Sequence, residues 1–110
     1  MSEINMSELA DQLLDEARAA SSGRAALTVR GHSDHRLRHT VIALRAGSDL
    51  SDHESPGEAT LQVLRGDVRL TGLDTEIGLT AGSLADIPDV RHGLAADTDA
   101  VVLLTVALRS

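Results

Sequence analysis

The spacing of hydrophobic positions changes at Gly23. Before it, Leu9, Leu13, Leu14 and Ala17 recur three and four residues apart, the stripe of an amphipathic helix, with Glu16 and Arg18 outside it. Ser7 is the expected cap. Glu8 and Asp11 place carboxylates in the first turn, where the helix dipole favours them, and Ser21, Ser22 and Gly23 end the helix. After Gly23, short runs rich in Val, Leu, Ile and Thr alternate with clusters of Gly, Asp, Ser and Pro. This pattern predicts strands over 25–30, 37–45, 60–65, 67–71, 75–79, 84–87, 92–95 and 100–108, with turns between them, one of them over 47–51. Eight short strands at close spacing predict an antiparallel sandwich or barrel. The last of them, AVVLLTVAL, is apolar at nearly every position, as expected of a strand buried on both faces, by the core and by a neighbouring surface.

Composition narrows the chemistry. A chain of 110 residues has room for one domain, and 42% apolar residues suffice for one core. The net charge of −7 argues against nucleic-acid and anionic-membrane partners, which need a basic face. All ten basic side chains are Arg. The absence of Cys excludes disulfides, thiolate metal sites and Cys nucleophiles. With no Phe, Tyr or Trp, the chain has no aromatic platform on which a base or sugar could stack. No apolar run approaches the roughly 20 residues needed to span a bilayer. The acidic start MSEINMSELADQ does not read as a secretory signal, so a cytoplasmic location is expected. No phosphate loop, dinucleotide fingerprint or nucleophile elbow is present, and the acids at 49, 52, 54 and 58 do not fit an EF-hand loop.

Function must then come from His, Asp, Glu, Ser, Thr or Arg. Three of the five histidines, His32, His35 and His39, cluster in GHSDHRLRHT. At strand parity His35 and His39 share a face with Leu37 and Val41. Two readings stand: a metal or proton-transfer site, or a polar strand start in which Arg36 and Arg38 oppose cation binding. His53 and His92 each follow a glycine turn and a polar loop. Gly47 is followed after five residues by His53. Ser55 stands two positions further on, Ala59 after three more residues, and Gly66 after another six. Fifteen residues later Gly82 opens a second segment, with Pro88 after five residues and then Asp89, Val90, Arg91 and His92.

Over roughly residues 35–108 this frame resembles a small single-domain cupin. The glycines, the proline turn, His53 and His92 match the two motifs of that family. Ser55 stands where a second His is usual, Ala59 in the Glu slot and Ala96 in the Asn slot, and the second motif is one residue short. The resemblance implies an all-β fold, a small antiparallel jelly-roll β-barrel. The barrel domain would span 24–110, with an N-terminal α-helix and lead-in over 1–23. Metal-bearing cupins hold the ion with three His and one Glu, and of these only His53 and His92 carry over. Glu58 is the candidate third metal ligand if a bulge after Pro56-Gly57 rotates it inward, because on a regular strand it would face away. Glu54 and His39 are candidate pocket residues, and His35 could also approach. The cofactor implied is a divalent transition metal: Zn, Ni, Fe or Mn. The reading that follows is a pocket lined by Leu, Val, Ile and Ala that binds a small ligand, aliphatic or carboxylate, and a divalent metal. The alternative is a metal-dependent dioxygenase or isomerase, and a third reading is a vestigial pocket on a protein whose dimer surface is the function. A homodimer is expected, from the small size and an edge to protect.

Overall fold

The computed structural model describes residues 3–53, 57–72, 74–88 and 91–108. The helical stripe forms α1 (Met6–Ala19) and buries Leu9, Ala10, Leu13, Leu14 and Ala17. Its cap is Asn5 rather than Ser7: Asn5 Oδ1 accepts the Glu8 N–H at 3.0 Å, satisfying one of the orphan donors of the first turn. Ser7 lies inside that turn, and its Oγ accepts instead from Arg65 Nη2 at 2.7 Å.

Nine strands follow among the described residues: β1 (Arg24–Arg30), β2 (Leu37–Leu44), β3 (Asp49–His53), β4 (Gly57–Arg65), β5 (Asp67–Thr71), β6 (Glu76–Thr80), β7 (Leu84–Asp86), β8 (His92–Ala96) and β9 (Ala100–Leu108). Eight coincide closely with the strands expected from the pattern. The ninth, β3, was expected as turn and polar loop. Leu50 is its one apolar residue, and its ladder with β8 shifts register between Leu50 and His53, so it carries no alternation to detect.

Every pairing is antiparallel. The strands form two sheets, one ordered β1-β2-β9-β4-β7 and the other β3-β8-β5-β6. The expected jelly-roll barrel is thus seen as a two-sheet sandwich, and no ladder among the described residues closes it into a barrel. Two apolar clusters hold it. Leu44, Leu61, Val63, Val102, Val68, Leu70 and Leu94 pack between the sheets. On the outer side of the five-stranded sheet, Val41, Ala43 and Val101 pack under Leu9, Leu13 and Leu14 of α1. The uniform apolarity of β9 has its explanation here. This central strand sends Ala100, Val102 and Leu104 into the first cluster and Val101 and Leu103 into the second, so the neighbouring surface on its other face is the chain's own helix.

Asp99 is a charged anchor between the helix and the sheets, in addition to the Arg65–Asp11 ion pair at 3.7 Å. Asp99, in the turn before β9, accepts the Ala46 N–H at 2.8 Å and Arg18 Nε at 2.7 Å. The Ala46 hydrogen bond first, and then the Arg18 guanidinium, hold its carboxyl below the usual carboxylate range. A carboxyl lowered on folding contributes stability that is complete above its unfolded value of about 4 and is lost as pH falls through the folded value. The melting-temperature difference between the wild type and Asp99→Asn is therefore expected to be constant from pH 7 to about 5 and to shrink below pH 4. A difference independent of pH would show that the charge contributes nothing.

Candidate functional site

Strand parity decides which residues face the space between the sheets. On β8, Leu94 and Ala96 belong to the intersheet cluster, so His92 faces the same side. It is 4% exposed, the one polar or charged residue among the buried side chains described. A buried imidazole at the rim of an apolar space needs polar company, and His92 has an interaction partner within the chain. His53, the last residue of β3, is the Cα partner of His92 in the ladder. The two histidine positions that the motifs singled out, 39 residues apart in sequence, thus stand directly opposite each other in register on one sheet.

The facing sheet supplies the other wall. Ile42 and Leu44 of β2 point inward, and so, by alternation, do Thr40 and Arg38. On β9, Val102 and Leu104 point inward, followed by Val106; on β4, Leu61 and Val63 do, and hence Ala59. Strand directions bring these residues to one end of the sandwich. Gly47 and Ser48 bond to Ala96 at the opposite end, and from there β8 runs back to His92 while β2 runs back to Arg38. The edges match laterally as well: Arg24 Nη1 of β1 donates to Asp49 O of β3 at 3.3 Å, which sets the β1–β2 side of one sheet over the β3 side of the other. On the inner side Thr28 and Thr40 share a hydroxyl–hydroxyl hydrogen bond of 3.1 Å. At this end the described residues that face the space between the sheets are thus mostly apolar, with Arg38, Thr40 and His92 among them.

Other candidates stand elsewhere. Glu58 lies on the far side of the five-stranded sheet from His92. The β4–β9 ladder runs without a shift from Gly57 to Val63, so the bulge needed to turn Glu58 inward is not there, and its side chain is exposed. It lines an outer groove of about 500 Å³ with Thr60, Asp86 and Thr105. Ala59, in the Glu slot, faces inward but brings a methyl group, not an oxygen. His39 also faces outward, level with Thr105, in a groove with Met6, Val29 and Leu103. His35 does not share its face: β2 begins at Leu37, and His35 lies in the turn, its ring edge-on to that of His32 at 5.1 Å. Glu54 lies outside the described residues, as do Ser55, Pro56, Asp89 and Val90. Arg38, read from the sequence only as a charge opposing cation binding, joins the inward-facing positions. Its parity with Thr40 and Ile42 was the available signal.

Two imidazole positions do not complete a metal site. Among the described residues no group of three or more His, Asp or Glu side chains comes together as a metal site would require. The carboxylate slot is filled by Ala59, so the described donors do not fit a resident transition metal. The motif glycines, in contrast, behave alike: Gly47, Gly66 and Gly82 all take left-handed φ, at 86°, 76° and 94°.

No family profile matches the chain, and no curated protein sequence matches it. Solved structures do. A conserved protein of unknown function from Streptococcus pyogenes superposes with a TM-score of 0.74 at 25% identity, covering 83% of this chain and 79% of that one. An RmlC-like cupin protein from Desulfovibrio desulfuricans matches with a TM-score of 0.64 at 29% identity, covering 76% and 81%. The salicylate 1,2-dioxygenase of Pseudoaminobacter salicylatoxidans matches with a TM-score of 0.78 at 22% identity. There the match covers 91% of this chain but 32% of the dioxygenase, so this chain spans about a third of that enzyme.

Proposed function

Starting from the fact that this chain is a small cupin by fold, we propose that it binds a small organic ligand in the cleft between its sheets, at the end marked by His53 and His92. The observation that carries the proposal is the register pairing of these two histidines, with His92 buried beside an otherwise apolar core. A buried imidazole there supplies a donor or acceptor that orients a ligand, while Leu94, Leu104 and Val106 shed water around the ligand's apolar part. The ligand is small, because the walls are Leu, Val, Ile and Ala. One structural neighbour, the salicylate dioxygenase, has been solved in complex with gentisate, a small molecule. The test is a titration of the untagged chain with four- to six-carbon alcohols, amides and carboxylates, followed through the backbone amide resonances. Shifts confined to His92, Leu94, Leu104 and Val106 are expected. Shifts confined to the outer grooves, or none with any member of the panel, would overturn the proposal.

A second reading, a metal-dependent enzyme of dioxygenase or isomerase type, is favoured by the same pairing of two imidazole positions. It needs further ligands beyond the described residues, from Glu54 or from bound substrate. Elemental analysis of untagged protein reconstituted with Fe(II), Mn(II), Ni(II) and Zn(II) separates the two readings. One ion per chain, lost in His53→Ala/His92→Ala, would favour the enzyme. A homodimer is part of the same proposal, supported by exposed leucines on the five-stranded sheet: Leu27 and Leu84 on its two edge strands and Leu37 at the start of β2.

A further inference from the structure

Arg38 presents an anomaly that the histidines do not explain. By alternation with Thr40, Ile42 and Leu44 its side chain leaves β2 on the inner side, at the same end of the sandwich as His92. Its Nε is buried and has no hydrogen-bond partner. One other edge of the guanidinium is engaged: Nη1 donates to the Gly31 carbonyl at 3.2 Å. No ion pair to Arg38 exists among the described residues, and the described inward positions of β1, β2, β4 and β9 carry no carboxylate. A guanidinium with a desolvated, unpaired N–H and no counter-ion is costly to keep. Its fork of donors matches a carboxylate in geometry and charge.

The seat of this side chain is also built. Gly31 takes a φ of 124°, and a Cβ there would collide with Cδ of Arg38 and approach its Nε at 3.2 Å. The backbone at Gly31 thus adopts a conformation that side chains rarely permit, and the absence of a Cβ leaves the space that Arg38 fills. A solvated surface arginine would need neither.

We infer that Arg38 is the specificity-determining group of the intersheet cleft and selects a small monocarboxylate, whose apolar part lies against Leu104 and Val106. The inference rests on the ligand-binding reading above. Among the described inward-facing residues at this end of the sandwich Arg38 is the one formal cation, which matches a single anionic group. A phosphate, with its higher charge, would be left with uncompensated oxygens.

The experiment is calorimetric titration of the full chain with 3-methylbutanoate and with 3-methylbutanamide, which differ in charge but hardly in shape. The wild type is expected to bind the acid at least tenfold more tightly than the amide. Arg38→Gln should bring the acid down to the level of the amide and leave the amide unchanged. Equal binding of acid and amide by the wild type would overturn the role of Arg38 while leaving the cleft as a ligand site. Binding of neither would overturn both. An unchanged acid affinity in Arg38→Gln would also overturn the role. A second readout needs no variant: in the wild type the Arg38 Nε–H resonance should move on adding the acid and stay on adding the amide. An immobile resonance while the acid binds would overturn the inference even if Arg38→Gln fails to fold.

Discussion

The Gly66→Ala variant is expected to be destabilised by on the order of 4 kcal/mol, and its melting temperature to fall by about 15 °C or more. Gly66 makes the tight turn between β4 and β5 with φ at 76°, a region that costs an L side chain strain. The added Cβ would also meet the backbone carbonyl of Asp99, with Thr98 Oγ1 at 2.7 Å and Ala100 Cα at 3.0 Å. None of these neighbours is free to yield. Thr98 Oγ1 accepts the Asp67 N–H at 3.0 Å, and Asp67 O accepts the N–H groups of Asp97 and Thr98. Asp99 is held by Ala46 and Arg18. Two comparisons separate strain from collision. Gly47 has a φ of 86° but nothing within 4 Å of where a Cβ would stand, so Gly47→Ala should cost about 1–2 kcal/mol from strain alone. Gly78 lies on a strand in open space, and Gly78→Ala should change stability by less than about 1 kcal/mol. A Gly66→Ala melting temperature equal to that of Gly47→Ala would contradict the account of this turn.

The second large effect concerns binding. In His53→Ala/His92→Ala, affinity for a ligand of the cleft should fall at least about a hundredfold. A lost hydrogen bond to the ligand is worth roughly 1.5 kcal/mol, and two such losses correspond to about two decades in affinity. Circular dichroism checks that the sheets survive the two truncations, both of which fall at strand ends. Glu58→Ala and His39→Ala are the matched controls. Both residues lie on the other side of the five-stranded sheet, so both variants should bind as the wild type does, and weakened binding in either would move the site to the outer grooves.

How much of this was legible in the chain follows from the physics of each signal. The eight strands with apolar alternation were legible because burial on one or both faces leaves a period in the sequence. Strand β3 was not, because a five-residue edge strand with one apolar residue and a register shift leaves none. The cap was misplaced by two residues because Asn5 and Ser7 are both good caps, and only the tertiary contact of Ser7 with Arg65 decides between them. For Glu58, the argument from parity was correct and the bulge invoked to escape it does not form. His39 was visible as a histidine near the site, but which face it takes depends on where β2 is covered by α1. Arg38 appeared only as a charge opposing metal. That its Nε is buried could not be read from spacing, because it depends on how the β1–β2 hairpin folds over Gly31.

The pairing of His53 with His92 came from two motifs that lie far apart in sequence, and the ladder between β3 and β8 gives it a physical form. The most direct test of the cleft as the binding site is a crystal structure of the untagged chain grown with 3-methylbutanoate. The account predicts ligand density between the two sheets, within hydrogen-bond distance of His92 and in contact with Leu104 and Val106. A cleft closed by side chains, with density instead in a groove beside Glu58 or His39, would contradict it.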